Sequence, residues 1–547
     1  MQCGRLSLTY SFVVSNGGEM DSHRRPGGLW ILLIVMPFLC ASCSVQPSSV
    51  EAEESEQSAI PVAAAGETAQ QVASAGDSDS TLRSGEDWPV FLGPRHDGTS
   101  EETGLIDSWP EQGPRLVWEM ETGTGYTAPS VRGHRLVLFH RRDVDNPLAD
   151  EDPLQEDEQG FEVIECLHAQ TGQQLWTHGY PTSFRDPYGY NNGPRCTPLL
   201  TETHCYTFGA EGKLTCLTLE DGDEVWMRDL RAEMEIPDGF FGVGATPILE
   251  GKVLIVAAGG QPNSGVIGVD AATGKTLWEN VGRSTWDGAQ TDSRLRPTYE
   301  WTGEEMVVSY SSPLAATIHG KRHVLCLMRQ GLVSLEPQTG EEHFHYWFCS
   351  DSFESVNAAR PVVVDDTIML SSAYKVGSVL LQVAADGKSV TEVWRDRRNL
   401  LTHWSTAIHH DGYYYGFSGR HDYEATFRSI DAKTGDVVMQ TDGWGRPFTD
   451  LRQVGRDKFR DVVNNTIIST PFYGRGSKIQ VGDRFIVLSE YGLLALVEVT
   501  PDKWEEVCRF KPPQMHYPSW TAPVLSRGYL YLRCEDALLC YDLKRPE

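Results

Sequence analysis

The sequence predicts an all-β protein, and more specifically an eight-bladed β-propeller built from four-stranded antiparallel blades. One phrase recurs along the chain: an apolar strand ending in a small residue, a turn with Thr-Gly or Asp-Gly, and a strand with Trp. Its clearest copy is Gly265–Trp278. Most repeats also open on a short strand beside a proline, and the seven steps from Pro129 to Pro523 average roughly 56 residues. This period fits one propeller blade with its loops.

Each repeat contains four short runs of strand-forming residues separated by Gly, Asn and Asp. In the third repeat these runs are Pro247–Glu250, Lys252–Val256, Val266–Val269 and Thr276–Trp278. No long segment with a helical period competes with them. The glycine of the Thr-Gly turn is explained by a tight bulged hairpin, which needs one residue at positive φ where a Cβ atom would clash.

The two ends of the predicted propeller are complementary. Arg115–Glu119 resembles the last, Trp-bearing strand of a repeat with nothing before it, and Ala537–Leu543 resembles a third strand with nothing after it. Paired together they complete one blade, and the pairing removes the exposed strand edges of an open array. We therefore expect a ring closed by its N- and C-terminal strands, with Trp118 beside Leu539.

A small residue precedes the turn in most repeats, which is typical of a crowded position between packed sheets. The predicted column consists of Cys166, Cys216, Gly268, Ser334, Ser429, Ala495 and Cys540. Its cysteines are expected to be buried thiols that act as small apolar side chains. Cys205 with Cys216, and Cys534 with Cys540, flank turns and could instead form disulfides, although cross-strand pairing strains disulfide geometry.

The repeat Val269–Trp278 resembles that of the pyrroloquinoline-quinone-like β-propellers, the quinoprotein alcohol dehydrogenase-like superfamily. That superfamily includes the propeller lipoprotein of the bacterial outer-membrane barrel-assembly machinery. Asp87–Gly98 is similar to the corresponding segment of exported propellers from planctomycete-type bacteria. The resemblance implies a lead-in over residues 87–114 that packs on a propeller over residues 115–547.

The N-terminal segment predicts an exported protein. Arg24–Arg25 precede an apolar run, Leu29–Leu39, that is too short to span a membrane but suits a secretory signal. We assign residues 1–43 to a signal peptide or lipoprotein signal, with Met20 as an alternative start. Cys43 is either a lipidated cysteine or lies near an ordinary cleavage site, or else the segment remains as an uncleaved N-terminal anchor.

Composition and charge constrain the partners. Residues 44–86 are rich in Ser, Ala, Gln, Glu and Asp, which predicts a disordered, flexible acidic linker. The net charge is −29 with a pI near 4.9, and Lys and Arg form no stripe, so no nucleic-acid partner is expected. The acidic segment Asp143–Glu158 lacks the Gly and closing Glu of a calcium loop. We expect a monomer, periplasmic or anchored at the cell envelope through its N-terminus.

The resemblance raises one enzymatic alternative, a quinoprotein-like oxidoreductase that uses pyrroloquinoline quinone (PQQ) with calcium. Enzymes of that family typically carry an adjacent Cys-Cys disulfide against the quinone, and many add a Cys-x-x-Cys-His haem site. This sequence has neither motif. No catalytic, cofactor-binding or metal-ligating residues are therefore assigned, and no cofactor is expected.

The candidate site is the set of loops leading into the innermost strands, because these loops surround one mouth of a propeller's central channel. Aromatic, Asn and Arg side chains recur there and suit a peptide, sugar or polymer end. The candidates are Tyr126, Asn192, Arg195, Trp286, Asp287, Asn357, Arg360, His403, Trp404, Tyr473, Arg475, His516 and Trp520. Alternatively, these side chains only pack the mouth.

The function that these observations favour is that of an exported, non-catalytic propeller scaffold. Its partner would be an envelope protein or an extended polymer ligand bound at the channel mouth or at the blade edges. A carbohydrate-associated binding module is a further alternative.

Overall fold

The computed structural model describes residues 82–143, 160–237, 239–291, 298–352, 355–455 and 458–546. The predicted signal, Cys43, most of the acidic linker and most of the acidic insertion lie outside the described residues. Among the residues within these ranges, no helix is long and apolar enough to cross a membrane.

The all-β prediction is confirmed, because the described residues form eight four-stranded antiparallel units that we number as blades 1 to 8. Blade 1 consists of Ser130–Arg132, Arg135–Asp143, Gly160–His168 and Gln174–Thr182, and blade 2 of Leu199–Leu200, His204–Phe208, Lys213–Thr218 and Glu224–Asp229. Blade 3 consists of Ile248–Glu250, Val253–Val256, Val266–Asp270 and Thr276–Asn280, and blade 4 of Leu314–Ile318, Lys321–Leu327, Gly331–Leu335 and Glu342–Trp347.

Blade 5 consists of Val362–Val364, Thr367–Ser372, Gly377–Val383 and Val390–Asp396, and blade 6 of Ile408–His410, Tyr413–Ser418, Thr426–Asp431 and Val437–Thr441. Blade 7 consists of Ser477–Val481, Arg484–Leu488, Leu494–Glu498 and Glu505–Phe510, and blade 8 of Val524–Ser526, Tyr529–Arg533, Ala537–Asp542 and Arg115–Glu121.

Few other elements accompany the blades. Thr99–Ser100 adds a parallel strand to the first strand of blade 7. Leu451–Gln453, Lys458–Asp461 and Thr466–Ser469 form a separate three-stranded sheet between blades 6 and 7. The helical elements of the described residues are the α-helix Leu230–Glu233 and the 3₁₀ helices Asp422–Glu424 and Phe448–Asp450.

Buried apolar clusters lie between consecutive blades, as expected for sheets that pack face to face. Blades 1 and 2 share one cluster, in which Ile164 packs with Leu217, and the same holds for each later pair. The largest cluster joins blades 7, 8 and 1, and contains Ile486, Leu539 and Leu136. The apolar core therefore runs through all eight blades and returns from the last to the first.

The predicted pairing of the terminal strands is present in blade 8. Trp118 lies opposite Cys540, and Glu119 lies opposite Leu539. Asp542 accepts hydrogen bonds from Arg83 at 2.9 Å and from Arg115 at 2.6 Å. Because these strands come from opposite ends of the sequence, blade 8 joins the two ends of the described chain.

The turn glycines have a second role beyond the one predicted. Gly274, at φ +71°, lies against the indole of Trp226 in the preceding blade, and a Cβ added to it would stand 2.8 Å from that ring. The Trp226 Nε1 donates a hydrogen bond to the Ala271 carbonyl of the same turn at 3.1 Å. The turn of one blade is thus a docking site for the tryptophan of the blade before it.

The small-residue column needs one correction. In blade 7 the strand register shifts after Leu496, which pairs with Cys508, so Leu496 holds the position predicted for Ala495. That hairpin has no Thr-Gly turn, and the sequence therefore offered no landmark for its register. In blade 5 the position is held by Leu380. The column thus accepts larger apolar side chains.

The cysteines of the described residues are all free thiols, which confirms the sequence-based expectation of thiols over disulfides. Cys216 lies opposite Tyr206 and not Cys205. Burial raises the pKa of Cys216 to about 12 and also raises that of Cys540. These thiols are therefore protonated at neutral pH and act as small apolar side chains.

The lead-in crosses the inner strands of several blades. Trp88 is almost fully buried and forms a β-bridge with Val131 of blade 1, with bonds of 2.8 and 3.0 Å. Pro89 accepts a hydrogen bond from Leu200 of blade 2 at 2.8 Å, and Gly98 accepts one from Gln480 of blade 7 at 2.8 Å. The lead-in therefore covers one end of the central channel.

We predict that Gly274→Ala lowers the free energy of unfolding by at least about 2 kcal/mol more than Gly320→Ala does, as measured by urea denaturation. Both glycines have positive φ, +71° and +76°, so both substitutions incur similar left-handed strain of about 1 to 2 kcal/mol. Only at Gly274 does the new methyl group meet an indole, whereas Gly320 faces open space. Equal losses would contradict the docking role.

Candidate functional site

A cavity of about 280 Å³ lies at the channel mouth. Its walls come from two sets of loops: those leading into the first strands, and those joining second to third strands. Both sets lie at the same end because neighbouring strands of a blade run antiparallel. Tyr126, Arg195 and Trp520 come from the first set, and Tyr374 and Arg420 from the second.

The floor of the cavity is formed by Phe91 and Leu92 of the lead-in. Arg360 holds this segment in place: it donates to the carbonyl oxygens of Phe91 at 3.2 Å and His96 at 3.3 Å. It also donates to the Pro313 carbonyl at 3.2 Å. Burial lowers the pKa of Arg360 to about 9. The cavity is therefore blind on the side of the lead-in, and a chain could not thread through it.

Aromatic side chains line the wall in a nearly continuous ring. The centroids of Trp404 and Trp520 are 4.9 Å apart, and those of Tyr126 and Trp520 are 5.0 Å apart. Further contacts of 4.9 to 6.0 Å link His403 to Trp404, Tyr374 to His403, Tyr190 to Trp520, Tyr190 to Phe241, Tyr188 to Phe241, and Phe241 to Tyr310. Such a wall offers flat apolar faces to a ligand.

Two arginines project from the wall, and each is paired with a carboxylate whose side chain is fully buried. Arg475 donates to Glu490 at 2.9 Å and lies 4.7 Å from the centroid of Trp404. Arg195 donates to Asp186 at 2.7 Å and lies 5.5 Å from the centroid of Tyr126. Burial alone would lower the pKa of Arg475, but Glu490 raises it. The Arg475 guanidinium therefore stays charged.

Glu490 also orients a second wall residue. The Trp520 Nε1 donates to Glu490 Oε2 at 3.0 Å, and the backbone N–H of Arg475 donates to Glu490 Oε1 at 2.7 Å. One buried carboxylate thus fixes both a cation and an indole of the wall.

The cavity contains polar atoms that the described residues leave without a hydrogen-bond partner. They are Trp404 Nε1, Tyr126 Oη and His403 Nδ1, all shielded from solvent. Burial lowers the pKa of His403 to about 3, so its ring is neutral. A buried donor without a partner carries a desolvation cost that a bound acceptor would relieve. The Trp404 N–H is the clearest such donor.

Lys478 is the most unusual group of the cavity. It is 3% exposed, and its ammonium donates to the Thr406 carbonyl at 3.0 Å. Burial lowers its pKa to about 7. With Arg195, Arg420 and Arg475, it gives the lining four basic side chains, whereas no Asp or Glu is among the described lining residues. In a chain of net charge −29, this cavity is locally basic.

The structure brings six of the thirteen predicted candidates together around the cavity. They are Tyr126, Arg195, His403, Trp404, Arg475 and Trp520. The other seven are absent from its lining: Asn192, Trp286, Asp287, Asn357, Arg360, Tyr473 and His516. Asn357 donates to the Met328 carbonyl at 2.9 Å, and Tyr473 donates to Glu506 at 2.5 Å. Asn192 accepts from the Asp186 N–H at 2.9 Å.

Trp286 and Asp287 illustrate why the loop assignment was imprecise. Trp286 lies 1% exposed in the core between blades 3 and 4, and Asp287 is exposed at a turn. The segment between these blades is long, and its last residues, not its first, reach the mouth. Tyr310 and Ser312 are the lining residues that this loop contributes.

Sequence reasoning also missed Tyr374, Arg420, Lys478 and the lead-in floor. The first two lie on loops between second and third strands, which antiparallel geometry places at the same mouth. Lys478 lies in the first strand of blade 7, Ser477–Val481, where Ser477 and Gln480 are also polar, so no local pattern singled out the lysine. Nothing in the sequence indicated the floor.

Comparisons with known proteins bear on the fold. A family model described as "Outer membrane protein assembly factor BamB" matches residues 160–441, just over half of the chain. Quinohemoprotein alcohol dehydrogenase from Comamonas testosteroni is similar in structure, with a TM-score of 0.52 and 12% identity over 84% of this chain and 81% of that chain. BamB from Moraxella catarrhalis aligns with a TM-score of 0.47 and 12% identity over 79% of this chain and 98% of that chain. No curated protein matches in sequence.

We predict that Lys478→Met raises the free energy of unfolding near pH 7 by a few kcal/mol, as measured by denaturant titration. The folded-state pKa of Lys478, about 7, lies below the ordinary lysine value of 10.5. The unfolded chain therefore holds the extra proton between these pH values, and the stability of the parent protein rises with pH across that window. The advantage of the variant should be largest at or below pH 7 and disappear towards pH 10. Lys433→Met, at an exposed lysine, serves as the control.

Proposed function

The chain belongs to the family described as outer membrane protein assembly factor BamB, and we propose that it is an exported, non-catalytic propeller that binds a carboxylate-bearing segment of an envelope protein in its mouth cavity. The observation that carries this proposal is the lining: four basic side chains, an aromatic wall and no carboxylate among the described lining residues. Guanidinium groups recognise carboxylates through charge-assisted hydrogen bonds.

The blind floor supports end-on binding. Because Phe91 and Leu92 close the cavity, a polypeptide could place only a chain end or a side chain in it. A volume of about 280 Å³ suits one or two residues. The aromatic wall would then pack against the side chain, while Arg195, Arg475 and the Trp404 N–H face the carboxylate.

The location is proposed from the N-terminal sequence. Residues 1–43 would direct export, and Cys43, if lipidated, would hold the propeller at a membrane through the acidic linker. Ordinary cleavage near Cys43 would instead release it into the periplasm. The mass of the mature N-terminal peptide from a membrane fraction decides between the two.

A calcium-dependent quinoprotein fits this cavity less well. The cations and rings suit a planar anionic quinone, but calcium in proteins is held by oxygen ligands, chiefly carboxylates. The described lining residues include no carboxylate. Adding calcium to the protein with PQQ should therefore cause no further change in the absorbance spectrum or the melting temperature.

We predict that peptides with a free carboxyl terminus and an aromatic last residue bind, and that Trp404→Phe weakens this binding about tenfold. The substitution removes the unpartnered Nε1 donor and keeps an aromatic ring, and tenfold corresponds to about 1.4 kcal/mol. Isothermal titration calorimetry measures the affinity. C-terminal amidation of the peptide should have a similar effect.

The matched control is Trp504→Phe, because Trp504 also has a buried Nε1 without a described partner but lies in blade 7 away from the cavity lining. It should leave the affinity unchanged. Equal binding of free and amidated peptides would refute the proposal, and binding of acidic oligosaccharides alone would favour the carbohydrate-associated alternative.

A further inference from the structure

Three potential metal-ligating side chains meet on the mouth side of blade 8. Cys534 and Asp536 lie in the turn between its second and third strands, and His516 lies in the loop leading into its first strand. One ligand atom from each lies within 4.8 Å of the other two. None of the three lines the cavity, so the cluster is separate from the site described above.

The hydrogen bonds around His516 prepare one ring nitrogen for a cation. Its Nδ1 lies 3.0 Å from the Tyr517 carbonyl oxygen, which can only accept, so Nδ1 carries a proton. Its Nε2 lies 2.7 Å from Asp536 Oδ1. When the ring is neutral with its proton on Nδ1, His516 Nε2 and Asp536 Oδ1 are both acceptors, and a proton or a metal ion must stand between them. A metal-bound histidine typically donates its other N–H to a backbone carbonyl in this way.

The turn that carries the other two groups is fixed by its backbone. The N–H of Cys534 donates to the Ala537 carbonyl at 3.1 Å, and the Asp536 carbonyl accepts from Thr122 at 2.8 Å. Cys534 Sγ lies 3.4 Å from Asp536 Oδ1. Two ligands on one tetrahedral zinc ion, at about 2.0 to 2.3 Å each, are separated by a similar distance.

We propose that His516, Cys534 and Asp536 bind one divalent cation of the zinc class, with a fourth position open to solvent. Nitrogen, sulfur and oxygen ligands together suit zinc, and three protein ligands leave room for water. The Asp536 side chain is 59% exposed, so its carboxylate can move by the fraction of an ångström needed to admit the ion between itself and His516.

Binding would replace the S–H bond of Cys534 by a sulfur–metal bond and release the proton to solvent. The cation would also displace the proton that stands between His516 Nε2 and Asp536 Oδ1, so two protons per cation should appear in a weakly buffered titration, and affinity should increase with pH.

The site would also steady one wall of the cavity. The Ser519 hydroxyl donates to the His516 carbonyl at 2.6 Å, and the same loop continues to Trp520. A cation on His516 would hold this loop against the turn of Cys534. Metal binding is nevertheless independent of any ligand in the cavity and can be tested without one.

The experiment is a cobalt(II) titration of the chelator-treated full chain, followed by absorbance. We expect saturation at one equivalent, a thiolate-to-cobalt charge-transfer band, visible bands of a four-coordinate ion, and loss of all of them when zinc is added. Cys534→Ser should remove the charge-transfer band. Asp536→Asn and His516→Ala should each weaken binding at least about tenfold.

Cys508→Ser is the matched control, since Cys508 is a half-buried thiol of the neighbouring blade 7, and it should keep every band. Should Cys534→Ser fail to fold, Asp536→Asn at an exposed residue decides. Absence of stoichiometric binding, or bands that persist in Cys534→Ser and in Asp536→Asn, would overturn the proposal.

Discussion

One contact, repeated between consecutive blades, sets the geometry of the rest: an indole N–H donates to a backbone carbonyl in the turn of the next blade. It is made by Trp118, Trp176, Trp226, Trp278 and Trp394, at 2.9 to 3.1 Å. A glycine in each receiving turn lets the ring approach. At these five of the eight junctions the contact fixes the position of the next blade, as in other repeat proteins stabilised by nearest neighbours. These contacts between blades also determine the positions of the loops around the channel mouth.

Blades 4, 6 and 7 carry Phe344, Met439 and Cys508 in place of this tryptophan, and the case of blade 7 explains the lead-in. Blade 8 has no turn between its third and fourth strands, because they come from opposite ends of the sequence, and blade 7 accordingly has Cys508 in place of a tryptophan. Its Sγ accepts the backbone N–H of Trp109 at 3.5 Å. The lead-in thus occupies the place of the absent turn, and its earlier part, Phe91 and Leu92, closes the cavity. The lead-in therefore both packs where the two chain ends meet and forms the floor of the cavity.

The sequence predicted those features that each repeat carries locally. The strand period, the turn glycines and the pairing of Trp118 with the C-terminal strand all follow from short motifs. The register of blade 7 was wrong by one residue, at Ala495 in place of Leu496, because its turn lacks the motif. The assignment of Trp286 failed for a related reason: a long connection does not reveal which of its residues reaches the mouth. The floor depends on contacts such as Arg360 with Phe91, which are 269 residues apart and leave no local pattern.

The basic character of the cavity depends on the position of the two carboxylates that pair with its arginines. Asp186 and Glu490 lie behind Arg195 and Arg475 with no exposed side chain, so they orient the guanidinium groups without facing a ligand. The net charge of −29 opposes the approach of anions, but salt screens this field beyond about 8 Å at physiological ionic strength. Inside the cavity the lower dielectric strengthens the local cations. An anion is therefore attracted only after it has passed the mouth, which favours one delivered by a larger ligand whose apolar surface can pack against the aromatic wall.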